Sequence, residues 1–111
     1  MKQPVAHTLL ERHMTELGLI FEPEFQFAKP RKWRADYWVA RNGKPPGMSV
    51  ALVEIEGAIY SAGRHVRGKG FEQDCIKYST AAMLGFQCFR FTTGQVMSGA
   101  AREFLKKWRD R

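Results

Sequence analysis

The sequence predicts an α/β protein in which helices flank a mixed β-sheet. Three segments carry apolar residues at helical spacing, and four others alternate or run continuously apolar, as strands do. Their order along the chain is α-β-β-β-α-β-α. A length of 111 residues and a hydrophobic content of 44% suit one domain, 1–111, with its own packed core.

The N-terminal half predicts one helix and three strands. The predicted bounds are 4–17 for the helix and 21–27, 33–40 and 48–55 for the strands. Gly18 is placed to end the helix in a left-handed conformation. Pro23 indicates an edge position or a strand entry for the first strand. The third strand is almost continuously apolar, which is typical of a central strand, and we expect it to pair antiparallel with the second.

The C-terminal half predicts a long exposed loop followed by a helix, a strand and a final helix. The predicted bounds are 57–70, 71–84, 86–91 and 96–108, in that order. The loop contains too many glycines and cations to build core. Gly85 is placed to end the second helix.

Composition indicates the kind of partner and compartment. A formal net charge of +7 favours a polyanion, with nucleic acid as the leading candidate. Cys75 and Cys88 have neither the density of a disulfide scaffold nor CxxC spacing, so we expect them to be reduced and packed. No window approaches the roughly 18 apolar residues that span a bilayer, and no signal-peptide pattern occurs. We therefore expect a cytoplasmic protein with no membrane partner.

Three acidic residues lie on two strands that are expected to pair. Asp36 lies within the second strand, while Glu54 and Glu56 end the third and face the same side of it. Carboxylates gathered at one point repel each other, and a hard divalent cation such as Mg²⁺ or Mn²⁺ relieves that repulsion. Acids that merely pair with nearby Arg or Lys are the structural alternative. The basic, glycine-rich segment that follows favours the functional interpretation.

Basic side chains flank these acids and predict contacts with phosphates. Glycines in the loop let the backbone approach a phosphate while cations neutralise it. Incidental charge on an exposed loop is the alternative. The predicted nucleic-acid-binding residues include Arg34, Arg64, His65, Arg67 and Lys69.

The runs WRADYWVA and VALVEIEGAIYSAGRHVRGKGFEQDCIKYSTAAMLGFQCFRFTTGQV resemble the PD-(D/E)XK nuclease superfamily, in particular small phage-type, VRR-Nuc-like or Vsr-like endonucleases. The resemblance covers most of the chain and implies an α-β-β-β-α-β core. It implies catalytic and metal-binding roles for Asp36 and Glu54, with the carbonyl of Ile55 as a further ligand. The chain departs from the family at Glu56, where Lys is most frequent. Glu56 would then act as a general base or an additional ligand near the attacking water.

Helical residues complete the site that the resemblance implies. Lys77 is the candidate for the displaced catalytic lysine, and Gln73, one turn earlier, is the alternative and a further expected nucleic-acid contact. Glu11 is the candidate metal-binding acid from the first helix, with Glu16 as its alternative. Ordinary solvated positions explain these side chains about equally well.

These expectations describe a Mg²⁺- or Mn²⁺-dependent endonuclease of phage or mobile-element type that hydrolyses DNA phosphodiester bonds. One small domain has little room to read sequence, which favours structure-selective cutting or nicking of branched or single-stranded DNA. A homodimer would supply two cuts. The alternatives are a nuclease-fold protein that binds nucleic acid without cutting it, and a nuclease directed at RNA.

Overall fold

A mixed β-sheet with helices on both faces forms the centre of the protein. The computed structural model describes residues 3–43, 49–57 and 68–111. The helices are α1 (Val5–Glu16), α2 (Lys69–Met83), α3 (Thr93–Ser98) and α4 (Ala100–Arg109), and the strands are β1 (Leu19–Gln26), β2 (Arg34–Arg41), β3 (Val50–Glu56) and β4 (Gln87–Thr92).

The strands lie in sequence order, β1-β2-β3-β4. β1 pairs antiparallel with β2, β2 pairs antiparallel with β3, and β3 pairs parallel with β4. The predicted antiparallel pairing of the second and third strands is therefore confirmed. Pro23 lies in β1 at the edge of the sheet, as its missing N–H requires. β3 has neighbours on both sides and is buried along Ala51 to Ile55, which explains its continuous apolar run.

Two hydrophobic clusters cover the two faces of the sheet. On one face α1, α3 and α4 pack around fully buried side chains that include Leu10, Val53 and Leu105. On the other face α2 covers a smaller cluster, in which Leu52 and Ala81 are buried among partly buried aromatic rings. Because alternate residues of β3 serve the two faces, Glu54 lies on the same side as Leu52, beneath α2.

The final helix predicted over 96–108 is two helices rather than one. Gly99 has a φ of +90° and separates α3 from α4. The apolar pattern continues through the break, because the residues on both sides of it include the fully buried Val96, Ala101 and Leu105. Periodicity therefore does not reveal the break. Thr92 and Gln95 form a capping box that begins α3.

Helix ends were otherwise predicted to within a few residues. Gly18 and Gly85 have φ values of +73° and +94°, which confirms the left-handed conformation expected where α1 ends and agrees with the predicted end of α2. Lys69 and Gly70 belong to α2 rather than to the predicted loop, most of which, 58–67, lies outside the described residues.

Two further expectations concern the cysteines and the membrane. Both cysteines are free thiols, but Cys75 is exposed on α2, so the expectation that it is packed is wrong. Cys88 is partly buried and lies at the edge of the smaller cluster. No helix in the described ranges combines the length and apolar character needed to cross a bilayer.

Candidate active site at a fork in the sheet

The two middle strands of the sheet diverge at one end. Pairing between β2 and β3 stops at Tyr37 and Val53, although each strand continues for three more residues. The outer pairings persist, since β1 stays paired with β2 as far as Arg34 and β4 with β3 as far as Glu56. The sheet therefore forks between β2 and β3. Inside the fork, a side chain accepts a backbone hydrogen bond in place of the neighbouring strand.

That side chain belongs to Asp36. Its Oδ2 accepts a hydrogen bond of 2.7 Å from the backbone N–H of Ile55. The carboxylate thereby satisfies a donor that a continued ladder would have bonded to a carbonyl. Within a strand, the N–H and C=O of one residue point to the same side, so the carbonyl of Ile55 also faces the fork. Asp36 and Ile55, predicted to share a metal ion, are direct neighbours.

Glu54 is the buried acid of the fork. It is only 8% exposed, and Lys77 on α2 donates a hydrogen bond of 2.9 Å from Nζ to its Oε1. Burial raises the pKa of Glu54 to about 7; Lys77 opposes that shift, and the nearby charges of Asp36 and Glu56 add to it. The structure thus brings the predicted displaced lysine onto the predicted second acid.

Glu56 is bound by a cation that was not among the predicted site residues. Arg90 on β4 places Nε 2.7 Å from Glu56 Oε1. The guanidinium also lies 4.3 Å above the ring of Tyr78, whose hydroxyl donates to the same Oε1 at 3.5 Å. Arg90 pairs in register with Glu54 across the parallel β3–β4 ladder. The position of Arg90 beside the acids follows from the pairing of β3 with β4. The residue pattern along β4 alone does not predict that pairing.

The first helix reaches the site through a tyrosine. Tyr37, next to Asp36 in β2, donates a hydrogen bond of 2.7 Å to Glu11 Oε2, and Gln3 donates to the same oxygen. Burial and the carboxylate of Glu11 raise the pKa of the Tyr37 hydroxyl, so it remains a donor. The expected acid Glu11 is therefore tied to the strand that carries Asp36.

A histidine also approaches Asp36 from α1. His7 Nε2 lies 3.9 Å from Asp36 Oδ2, and His7 was not among the predicted site residues because no sequence motif marks it. The alternative acid, Glu16, points elsewhere and lies 3.8 Å from Arg12 and 3.7 Å from Arg102. The structure therefore favours Glu11 over Glu16 as the acid near the site.

The predicted nucleic-acid contacts lie on exposed positions where they are described. Arg34 is the first residue of β2, at the forked end, and Lys69 begins α2. Gln73 is exposed one turn before Lys77. The expected contacts of Arg64, His65 and Arg67 lie outside the described residues.

The donor atoms at the fork suit a hard cation that also binds water and phosphate. Among the residues that the structure describes, no three His, Cys, Asp or Glu side chains are grouped so as to hold a metal by themselves. Asp36, Glu54 and the carbonyl of Ile55 offer oxygen ligands. Mg²⁺ at phosphate-processing sites needs only one or two carboxylates, because waters and substrate oxygens complete its octahedron. The chemistry of these donor atoms is therefore compatible with Mg²⁺ or Mn²⁺.

Comparison of the chain with protein-family models, with curated proteins and with solved structures found no match.

Proposed function

We propose that the protein is a Mg²⁺- or Mn²⁺-dependent endonuclease of the PD-(D/E)XK type that hydrolyses DNA phosphodiester bonds. The observation that carries this proposal is the gathering of an aspartate, a glutamate and a lysine at one fork of the sheet. Asp36 bonds the residue that follows Glu54, and Lys77 bonds Glu54 itself. The resembled family takes its lysine from the third strand, whereas this chain would take it from α2.

Asp36, Glu54 and the carbonyl of Ile55 would hold the cation. When bound, it supplies a Lewis acid for the phosphate and lowers the pKa of a coordinated water. Burial and the charges of Asp36 and Glu56 raise the pKa of Glu54 even though Lys77 opposes the shift, so a further positive charge would stabilise the ionised form of Glu54. The hydrogen bond from the Ile55 N–H restrains the carboxylate of Asp36 at the position where it would bind the cation.

Lys77 supplies a fixed positive charge within the site. Its side chain is only 15% exposed, and its bond to Glu54 limits the positions that Nζ can occupy. An ammonium held in this way stabilises negative charge that develops on a phosphate, and it orients a water through its remaining N–H donors. These are the tasks of the family's strand lysine, so we assign them to Lys77.

Arg90 supplies a second positive charge, and Glu56 holds it in place. Because Glu56 already accepts from Arg90 and Tyr78, we assign it the role of a positioning residue rather than that of a general base. A guanidinium has five N–H donors, so a bond from Nε to Glu56 leaves others to contact a phosphate. This arrangement accounts for Glu at the position where the family most often has Lys.

The proposed substrate is branched, nicked or single-stranded DNA. The net charge of +7 supplies affinity for phosphates without sequence selection. The exposed cations Arg34 and Lys69 would widen the footprint around the fork.

Cleavage assays on several nucleic acids test this function. Supercoiled, linear, single-stranded and branched DNA, and single-stranded RNA, are incubated with the protein and Mg²⁺ or Mn²⁺. We expect DNA cutting that falls by about 100-fold or more in D36N and E54Q. E16Q is the matched control, since Glu16 is a helical acid away from the fork, and it should cut like the unaltered protein. Equal cutting by D36N and the unaltered protein would refute the assignment of the active site to the fork. Cutting of RNA alone would show that the substrate is RNA and not DNA.

One observation favours a second candidate, a protein that binds nucleic acid without cutting it. Lys77 and Arg90 already neutralise Glu54 and Glu56 within the protein itself. In that case D36N would bind DNA like the unaltered protein, and neither would cut. Binding of Mn²⁺ that depends on Asp36 would separate the two candidates in favour of the nuclease.

A further inference from the structure

A groove of about 640 Å³ opens beside β4 and α4, away from the fork. It lies on the face that α1, α3 and α4 cover, whereas Glu54 of the fork lies on the other face and is bonded by Lys77 of α2. It also lies towards the other end of the strands. Gln87, in its wall, pairs with Ala51, while Arg90 pairs with Glu54. The groove is therefore a separate feature from the proposed active site.

Aromatic rings form its wall. Phe89 packs edge to face against Phe104, with ring centroids 5.0 Å apart, and against Trp108 at 5.4 Å. Phe104 is 46% exposed, a large apolar surface for a side chain at the mouth of a groove. Phe104 also packs edge to face against Phe91 at 5.6 Å, so its ring has two aromatic neighbours and an exposed surface that suits stacking against a planar partner.

A polar group in the groove has a defined orientation. Trp108 donates its indole N–H to Gln87 Oε1 at 2.9 Å. Because the indole N–H can only donate, this bond identifies the oxygen of the amide and directs its NH₂ group to act as the donor. A ligand would therefore meet a hydrogen-bond donor beside the aromatic rings.

Among the described residues, the charged side chains that line the groove are Arg41, Lys107 and Arg111, all of them basic. Arg41 also donates from Nη1 to the carbonyl of Trp108 at 2.8 Å and to that of Arg111 at 3.4 Å. The carbonyl of Trp108 lies in the last turn of α4 and carries partial negative charge, so its bond from Arg41 weakens the repulsion of a negatively charged ligand.

We propose that this groove binds one unpaired nucleotide of a single-stranded nucleic acid. The base would stack on Phe104 near the amide of Gln87, and the phosphates would contact Lys107 and Arg111. An aromatic surface with a cationic rim complements a planar, uncharged base joined to an anion, and stacking tolerates any base. A duplex does not fit this chemistry, because its base faces are covered. The proposal goes beyond cleavage and does not require it.

Binding measured by fluorescence anisotropy in EDTA tests the groove without catalysis. The probes are fluorescein-labelled oligothymidylate, labelled oligouridylate and a labelled blunt duplex. F104A and F104L should each weaken binding of the single strands about 5- to 100-fold, because both remove the stacking ring. L84A is the control, since Leu84 is a similarly exposed apolar residue at the end of α2, and it should bind normally. The affinity of F104A, F104L and L84A for the duplex should equal that of the unaltered protein.

A lysine pair supplies a second, electrostatic readout. K107A should reduce the slope of log affinity against log salt by about 0.7 for a single strand, whereas K106A, its neighbour outside the groove, should leave the slope unchanged. Comparison of labelled oligouridylate with labelled oligodeoxyuridylate, which carries the same base, identifies the sugar that the groove prefers.

Three results would overturn the proposal: F104A that binds like L84A, an equal loss on duplex and single strand, or free thymidine monophosphate that competes as well as the oligonucleotide. Because no metal is present, a protein that fails to cut DNA still returns a decisive answer here.

Discussion

The carboxylate of Asp36 bonds the backbone N–H of Ile55 across the gap between two strands, at 2.7 Å. The same side chain is the first acid of the proposed metal site. Under the proposed function, this one residue would both bridge the fork and hold the cation, and substitutions of Asp36 can separate these two roles.

Asp36→Ala should destabilise the fold more than Asp36→Asn. Alanine leaves the Ile55 N–H without its acceptor, which typically costs about 1–3 kcal/mol, whereas the amide oxygen of asparagine can still accept. Urea denaturation gives the free energy of unfolding of each variant. Equal stabilities for the two variants would show that the hydrogen bond contributes nothing.

Lys77→Met should lower kcat on DNA by about 100-fold, because the variant lacks the cation bonded to Glu54. Lys77→Arg keeps the charge and should recover part of the rate. Lys106→Met is the control for the loss of a cation on an exposed helix surface. Should Lys77→Met and Lys106→Met cut equally well, Lys77 has no part in the reaction.

Glu56 and Arg90 should behave as one unit in a double-mutant cycle. Arg90→Ala is expected to lower kcat by about 100-fold and Glu56→Ala by about tenfold, because the second only releases the arginine. In the Arg90→Ala background, Glu56→Ala should then have no further effect. A full additional loss in that background would instead support a general base or a metal ligand at Glu56.

The stability of the protein should depend on pH through Glu54. Burial raises the pKa of Glu54 from 4.5 to about 7, so the folded state holds this proton more tightly than the unfolded chain does. The stabilisation that comes from the proton on Glu54 is fully present below the pKa that Glu54 has in the unfolded chain. It is lost as the pH rises through the pKa of Glu54 in the folded protein. Between about pH 5 and 8, the free energy of unfolding should therefore fall more steeply in the unaltered protein than in Glu54→Gln. Parallel curves for the two proteins would contradict the shift.

Much of the fold could be predicted from the sequence, because local patterns decide it. Helical spacing, strand alternation and the glycines at positions 18 and 85 located the elements before the final helix. Pro23 indicated an edge position or a strand entry for β1, and β1 is an edge strand. The break at Gly99 was missed, since buried side chains continue on both sides of it.

The candidate site could be predicted from the sequence only where it depends on the pairing of consecutive strands. Asp36 and Glu54 were expected to meet because their strands were expected to pair. Lys77 was named from a family resemblance, and its bond to Glu54 required the packing of α2 on the sheet. Arg90 and His7 depend on the parallel register and on the position of α1, which no local pattern records.

The most direct test of the account is a calorimetric titration of the protein with Mn²⁺. We predict that the unaltered protein binds the ion, that Asp36→Asn and Glu54→Gln each weaken binding at least tenfold, and that Glu16→Gln binds normally. Binding of Mn²⁺ with the same affinity by all four proteins, or by none, would contradict a shared cation at the fork.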